Sequence, residues 1–195
     1  MTYGHLIDEM DSSVFSVFNT SEFLDVSKNK LMNCSIYDLL INYNLSTIDK
    51  YYGKPLPLYI RDALGWTNIY QLKCYKPENM KPQKIKNNDF ITISYGNKII
   101  LATTKILIPV YDMNSRRGFH GEIKYDYTLK KIQKLNESDY LMFFDYISDK
   151  IAQFIPISKI QIKSVDINNI VSNNICFEIV TKSQFFNLNG FQLHI

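Results

Sequence analysis

The sequence predicts a mainly β fold of short strands and hairpins, with one or two short helices near the N-terminus. Three observations predict it. From residue 55 onward, apolar and polar residues alternate in short runs, the two-residue period of a strand with one buried face. Gly96-Asn97 and Asn189-Gly190 fall between such runs, where a tight hairpin needs φ > 0. A chain of 195 residues, 46% hydrophobic and 21% charged, can bury one core without staples, which favours one domain and excludes disorder, collagen and coiled coil.

The elements follow in order. Tyr3 to Met10 can open a short helix, and so can Ser35 to Ile41, with Ser35 suited to the N-cap. Glu22 to Val26 reads as a short strand. Leu56 to Arg61 reads as a strand that Pro57 would confine to a sheet edge. Gly65 to Tyr75 alternates well after a turn, and Pro77 to Pro82 is a loop. Phe90 to Ser94 and Ile99 to Thr103 flank a tight turn, and Leu107 to Tyr111 is a further strand. Ser115 to Gly121 is a largely polar loop. Phe154 to Val165 reads as one strand with a buried face, and Asn168 to Asn174 as a turn region. Ile175 to Thr181 is a strand, and Phe185 to Ile195 a terminal hairpin. Residues 1–54 form an N-terminal extension or the first part of the same domain, and residues 55–195 form the β domain.

Charge and cysteine usage narrow the function. A net charge of +3 is too mild to argue for nucleic acid by itself. Three Cys cannot all pair within one chain, and the spacings of Cys34, Cys74 and Cys176 fit no zinc pattern. Neither a metal nor a cofactor is expected. Asp8, Glu9 and Asp11 stand where a signal peptide needs basic and then apolar residues, so export by that route is not expected. Runs such as Ile106 to Val110 are too short to span a bilayer, so no membrane association is expected. Abundant Tyr, Phe, Ile, Asn and Lys point to an AT-rich genome.

Three stretches together resemble the Hint fold, the self-processing domain of inteins and hedgehog proteins. Ile91 to Val110 is similar to that family's strand, glycine turn, strand and Thr-x-x-His segment. Ile175-Cys176-Phe177-Glu178-Ile179-Val180-Thr181 is similar to its Val-Tyr-Asp-Leu strand. Phe186-Asn187-Leu188-Asn189-Gly190-Phe191-Gln192-Leu193-His194-Ile195 resembles its terminal Phe-x-x-Asn-Gly-x-x-x-His-Asn hairpin. Gly65 to Tyr75 looks like its early strand after a glycine turn. The resemblance covers roughly residues 55 to 195, in the family's order.

The resemblance implies a specific chemistry. A Cys or Ser at the first position attacks its own preceding peptide bond. The imidazole of Thr-x-x-His polarises that bond and protonates the leaving nitrogen. A terminal Asn then cyclises, helped by the His before it. Here Thr103 matches the Thr, but Ile106 replaces the His, and an aliphatic side chain transfers no proton. His194 matches the penultimate His, but Ile195 replaces the Asn. Gln184 lies near where some members carry another His. Nothing at Met1-Thr2-Tyr3 resembles a Cys-led start, and Cys34 is a candidate nucleophile only if the chain were cut there. Residues 112–154 are too few for the homing endonuclease that many inteins carry. The resemblance therefore implies the fold without the activity.

Other residues receive bland readings. Arg116, Arg117, Lys124, Lys130, Lys131 and Lys134 make the most basic stretch, with Tyr125 and Tyr127 able to stack on bases. The plainer reading is a solvated loop and helix face, diluted by Glu122, Asp126 and Glu137. Tyr51-Tyr52-Gly53 and Trp66 read as core packing before they read as a binding surface. Asp145 and Asp149 form no metal constellation. The expectation is a non-catalytic structural or interaction protein on a degenerate intein-like scaffold. Its expected setting is a bacteriophage virion or the host cytoplasm, with virion proteins or further copies of itself as partners. The alternatives are residual self-processing and weak nucleic-acid binding.

Overall fold

The computed structural model describes residues 15–16, 19–42, 57–62, 65–75, 90–104, 106–119, 122–144, 152–165 and 176–194. The chain enters through β1 (Phe15–Ser16) and the hairpin β2 (Thr20–Asp25) and β3 (Lys30–Ser35). Helix α1 (Ile36–Asn42) follows at once. Ser35 caps it: the Asp38 N–H donates to Ser35 Oγ at 3.1 Å, and that hydroxyl donates to Asp38 Oδ2 at 2.8 Å. This satisfies a donor that a helix start otherwise leaves orphaned.

Next come β4 (Leu58–Asp62), β5 (Gly65–Tyr75), β6 (Phe90–Tyr95), β7 (Lys98–Thr103) and β8 (Leu107–Tyr111). A short hairpin, β9 (Arg117–Phe119) and β10 (Glu122–Lys124), precedes β11 (Tyr127–Lys131). Then β12 (Tyr140–Phe143), β13 (Gln153–Pro156), β14 (Gln161–Val165), β15 (Cys176–Thr181), β16 (Phe185–Leu188) and β17 (Phe191–His194) complete the fold.

Among the described residues, nine strands form one sheet in the order β14-β6-β7-β1-β15-β5-β4-β2-β3. A second sheet runs β11-β8-β12-β17-β16, with β13 also on β12. One core spans both sheets. Phe23, Ile60, Ile69, Ile93, Ile100 and Phe177 from the first meet Ile108, Phe186, Leu188 and Phe191 from the second. Each such side chain contributes about 1.5 to 3 kcal/mol when fully removed from water.

The two tight turns have the expected chemistry. Gly96 takes φ +59° between β6 and β7. Asn189 and Gly190 take φ +45° and +96° between β16 and β17, the two positive values of a type I′ turn. At Gly190 a Cβ would also sit 2.5 Å from the Phe143 ring, so a larger residue would have to displace that ring.

Three expectations need correction. Pro57 does not confine β4 to an edge, because the strand begins one residue later and lies between β5 and β2. The missing N–H therefore costs no ladder bond, and the Pro57 carbonyl accepts from Val26 N–H at 3.1 Å. Residues 154–165 are two strands in different sheets, not one. A single 3₁₀ turn at Ile157–Lys159 breaks them, held by Ile157 N–H to the Asp139 carbonyl at 2.9 Å. The segment 115–121 is no plain loop, since Arg117–Phe119 pairs with Glu122–Lys124, and among the described residues the basic stretch continues as strand β11 and a single 3₁₀ turn at Ile132–Lys134. The expected helix at residues 3–10 and the loops at 77–82 and 168–174 lie outside the described residues.

Candidate functional site

The positions singled out by the resemblance separate into two regions. Thr103 ends β7, and Ile106 N–H donates back to the Thr103 carbonyl at 3.3 Å, closing a tight turn into β8. Thr103 is buried, and its Oγ1 has no hydrogen-bond partner among the described residues. A buried hydroxyl left unsatisfied costs about 1 to 3 kcal/mol. Ile106 is 0% exposed and packs within the core.

His194 ends β17, opposite Phe185, with the two rings edge to face at 5.0 Å. Phe185 meets Tyr127 at 5.3 Å, and Tyr127 pairs with Tyr111 at the end of β8. His194 therefore lies level with Tyr111, at the far end of β8 from Ile106. That strand separates the two by about 16 Å at 3.3 Å per residue. The described structure does not bring the matched Thr103 and His194 together.

The His194 end holds polar groups that local sequence did not advertise. Asp62 is buried, and its two oxygens accept from Ser183 Oγ at 2.9 Å and Gln192 Nε2 at 2.8 Å. Ser183 N–H donates to Thr67 Oγ1 at 3.0 Å. Burial first, then the Asp62 carboxylate and Tyr127, hold the Tyr111 hydroxyl protonated well above the usual phenol range. Beside Asp62, the Arg61 guanidinium lies between the rings of Trp66 and Phe144, at 5.0 and 5.2 Å, and its buried Nε has no hydrogen-bond partner among the described residues. Trp66 thus packs on a cation.

The first strand also reaches β7. Ser16 lies in β1, which pairs with β7 through Phe15 and Ala102 and with β15 through Ser16 and Cys176. That register sets Ser16 level with Leu101, two residues before the end of β7. The only signal was a hydroxyl residue fifteen positions into the chain, in a segment too short to show a period.

The remaining candidates fall as follows. Cys34 is half-buried, and burial first, then Asp38, push its thiol up against the opposing pull of Lys30. This lowers its thiolate fraction and its fitness as a nucleophile. Gln184 sits at φ +65° in the turn after β15. In the basic stretch, Arg117 pairs with Asp126 at 3.0 Å and Lys130 with Asp139 at 2.7 Å. Arg116, Lys131 and Lys134 are exposed, and Lys124 lies in β10. Among the described residues no three His, Cys, Asp or Glu converge as metal ligands, and no helix is long and apolar enough to cross a membrane. Residues 51–53, 145, 149 and 195 lie outside the described residues.

Compared with solved structures, the fold is intein-like. The chain superposes on the transcription factor IIB Mvu mini-intein with a TM-score of 0.60 at 11% identity, covering 94% of this chain and 99% of that one. An intein from a hyperthermophile gives 0.57 at 11% identity, with 94% and 99% covered. The TvoVMA intein gives 0.52 at 12% identity, with 94% and 98% covered. At these identities the likeness establishes the fold alone. No protein-family profile matches the chain, and no curated protein does.

Proposed function

We propose that this chain is a non-catalytic interaction protein built on an intein-like scaffold. Ile106 carries the reading. Where the resemblance calls for an imidazole, the chain has an aliphatic side chain fully buried in the core. No proton donor stands there for a leaving amide nitrogen. The bacteriophage-virion setting rests on the AT-rich composition and the family association alone. Prolonged incubation with thiol should leave the intact mass of all 195 residues unchanged. A cleaved product overturns the reading. Mass spectrometry of purified particles tests the virion setting, which falls if the chain is absent from them.

The β1 register favours one second reading, self-cleavage before Ser16. The Ser16 hydroxyl would attack the Phe15 carbonyl carbon. The C–N bond breaks, the Ser16 amine takes the proton, and an ester forms. Water then hydrolyses the ester and leaves residues 1–15 with a free carboxylate. Intact mass decides between the readings: a product lacking residues 1–15, abolished by Ser16→Ala, would establish the second.

A further inference from the structure

Asn189-Gly190 is the sole Asn-Gly pair in the chain. Such a pair is chemically labile. Asparagine is among the residues that heat damages first. Glycine has no side chain to keep its backbone nitrogen from approaching the carboxamide of the residue before it. Here both residues sit at positive φ in the turn between β16 and β17.

The fold directs the two reacting groups apart. The Gly190 N–H donates to Asn187 Oδ1 at 3.0 Å, a buried bond. The Asn189 carboxamide donates through Nδ2 to the Ile99 carbonyl of β7 at 2.9 Å. The attacking nitrogen and the group it would attack are therefore tied to different strands. The rest of the pair is held as well. The Asn189 N–H donates to the Thr20 carbonyl at 2.7 Å. The Gly190 carbonyl accepts from Phe144 N–H at 2.7 Å and from Asn187 Nδ2 at 3.0 Å. Asn187 is 0% exposed, and its one carboxamide satisfies both backbone groups of Gly190. The Gly190 nitrogen must lose its proton to attack, and that proton is released only when the turn opens.

We propose that Asn189-Gly190 is a latent self-modification site, and that the Asn187 side chain keeps it silent in the folded chain. When the turn opens, the Gly190 nitrogen attacks Asn189 Cγ. The N–Cγ bond forms, the Cγ–Nδ2 bond breaks, and ammonia leaves with the former Gly190 proton. Water then opens the cyclic imide and leaves aspartate or isoaspartate at position 189. Aspartate sets a carboxylate against the Ile99 carbonyl, where a donor had been. Isoaspartate lengthens the backbone of a turn that has room for two residues. Neither reading of function is involved, because the chemistry needs only the chain and water.

The test incubates the full chain in mildly alkaline buffer with and without urea. Trypsin then releases residues 183–195 as one peptide, and fragment masses locate any exchange of –NH2 for –OH at Asn189. Conversion is expected to run at least about tenfold slower in the folded chain than in urea, since several hydrogen bonds must break together. Asn187→Ala removes the acceptor for Gly190 N–H and should speed conversion of the folded chain about tenfold. If that variant does not fold, hydrogen exchange of the native chain serves in its place. The Gly190 amide should then be protected, and its exchange and the conversion should rise together as urea is added below the unfolding midpoint.

Equal conversion with and without urea overturns the proposal, and so does no conversion in either. A folded Asn187→Ala chain that converts no faster overturns the role of Asn187. So does a Gly190 amide that exchanges as fast in the native chain as in the unfolded one.

Discussion

The two ends of β8 differ in how they treat polarity. At the Ile106 end, where the resemblance calls for a proton carrier, the side chain is apolar and fully buried. One hydroxyl, on Thr103, is left there with no partner among the described residues. At the His194 end, Asp62 is buried and both its oxygens are satisfied. The contrast teaches that one core can leave a buried hydroxyl without a described partner at one end of a strand and satisfy a buried carboxylate fully where two hairpins meet at the other. The Asp62 network joins the β4–β5 hairpin to the C-terminal hairpin, so its work is structural.

Four measurements sharpen or break this contrast. Ile106→Ala should cost about 2 to 5 kcal/mol in denaturant unfolding, the usual range for a fully buried aliphatic side chain. A cost below about 1 kcal/mol would mean that Ile106 faces a cleft after all. Asp62→Ala comes next, at about 1 to 3 kcal/mol, because the buried Gln192 amide loses this acceptor. Asp62→Asn, which keeps one acceptor oxygen, should cost less. Thr103→Val should leave stability unchanged or raise it by up to about 1 kcal/mol, since it removes a buried hydroxyl that bonds to nothing. A clear loss would show that this oxygen has a partner in solution. The smallest effect is at Cys34, where alkylation followed against pH should reach half its maximal rate above the pH of a free cysteine. Burial and Asp38 hold the thiol protonated there. A midpoint below the free value would restore Cys34 as a nucleophile.

Much of the fold was legible because its signals are local. β5 occupies the span that its alternation marks, β8 occupies the expected span Leu107–Tyr111, and the hairpins at Gly96 and Asn189-Gly190 follow from residues that tolerate positive φ. The break within 153–165 was not legible, because an alternating pattern continues across the 3₁₀ turn and only Asp139 reveals where it is held. The β9–β10 pairing was hidden by polar composition. The site was less legible still. Asp62 and Gln192 are partners across 130 residues, and Ser183 lies 121 residues from that carboxylate. No periodicity carries such a pairing. Nor does local sequence show that β1 lies between Ala102 and Cys176.

One feature of the fold also constrains how it is made. The Thr20 carbonyl accepts from Asn189 N–H at 2.7 Å, and the Ser21 hydroxyl donates to the Asn187 carbonyl. The Asn19 amide, in turn, both donates to and accepts from the Leu101 backbone. A nascent chain can pair β2 with β3 and β4 early, but its seam to β16 stays open until residues 187–189 leave the ribosome. Loop closure over such a span slows folding, and the waiting strands are exposed to wrong partners meanwhile. The β16–β17 hairpin, which follows every other described strand in the chain, is the one that closes this seam.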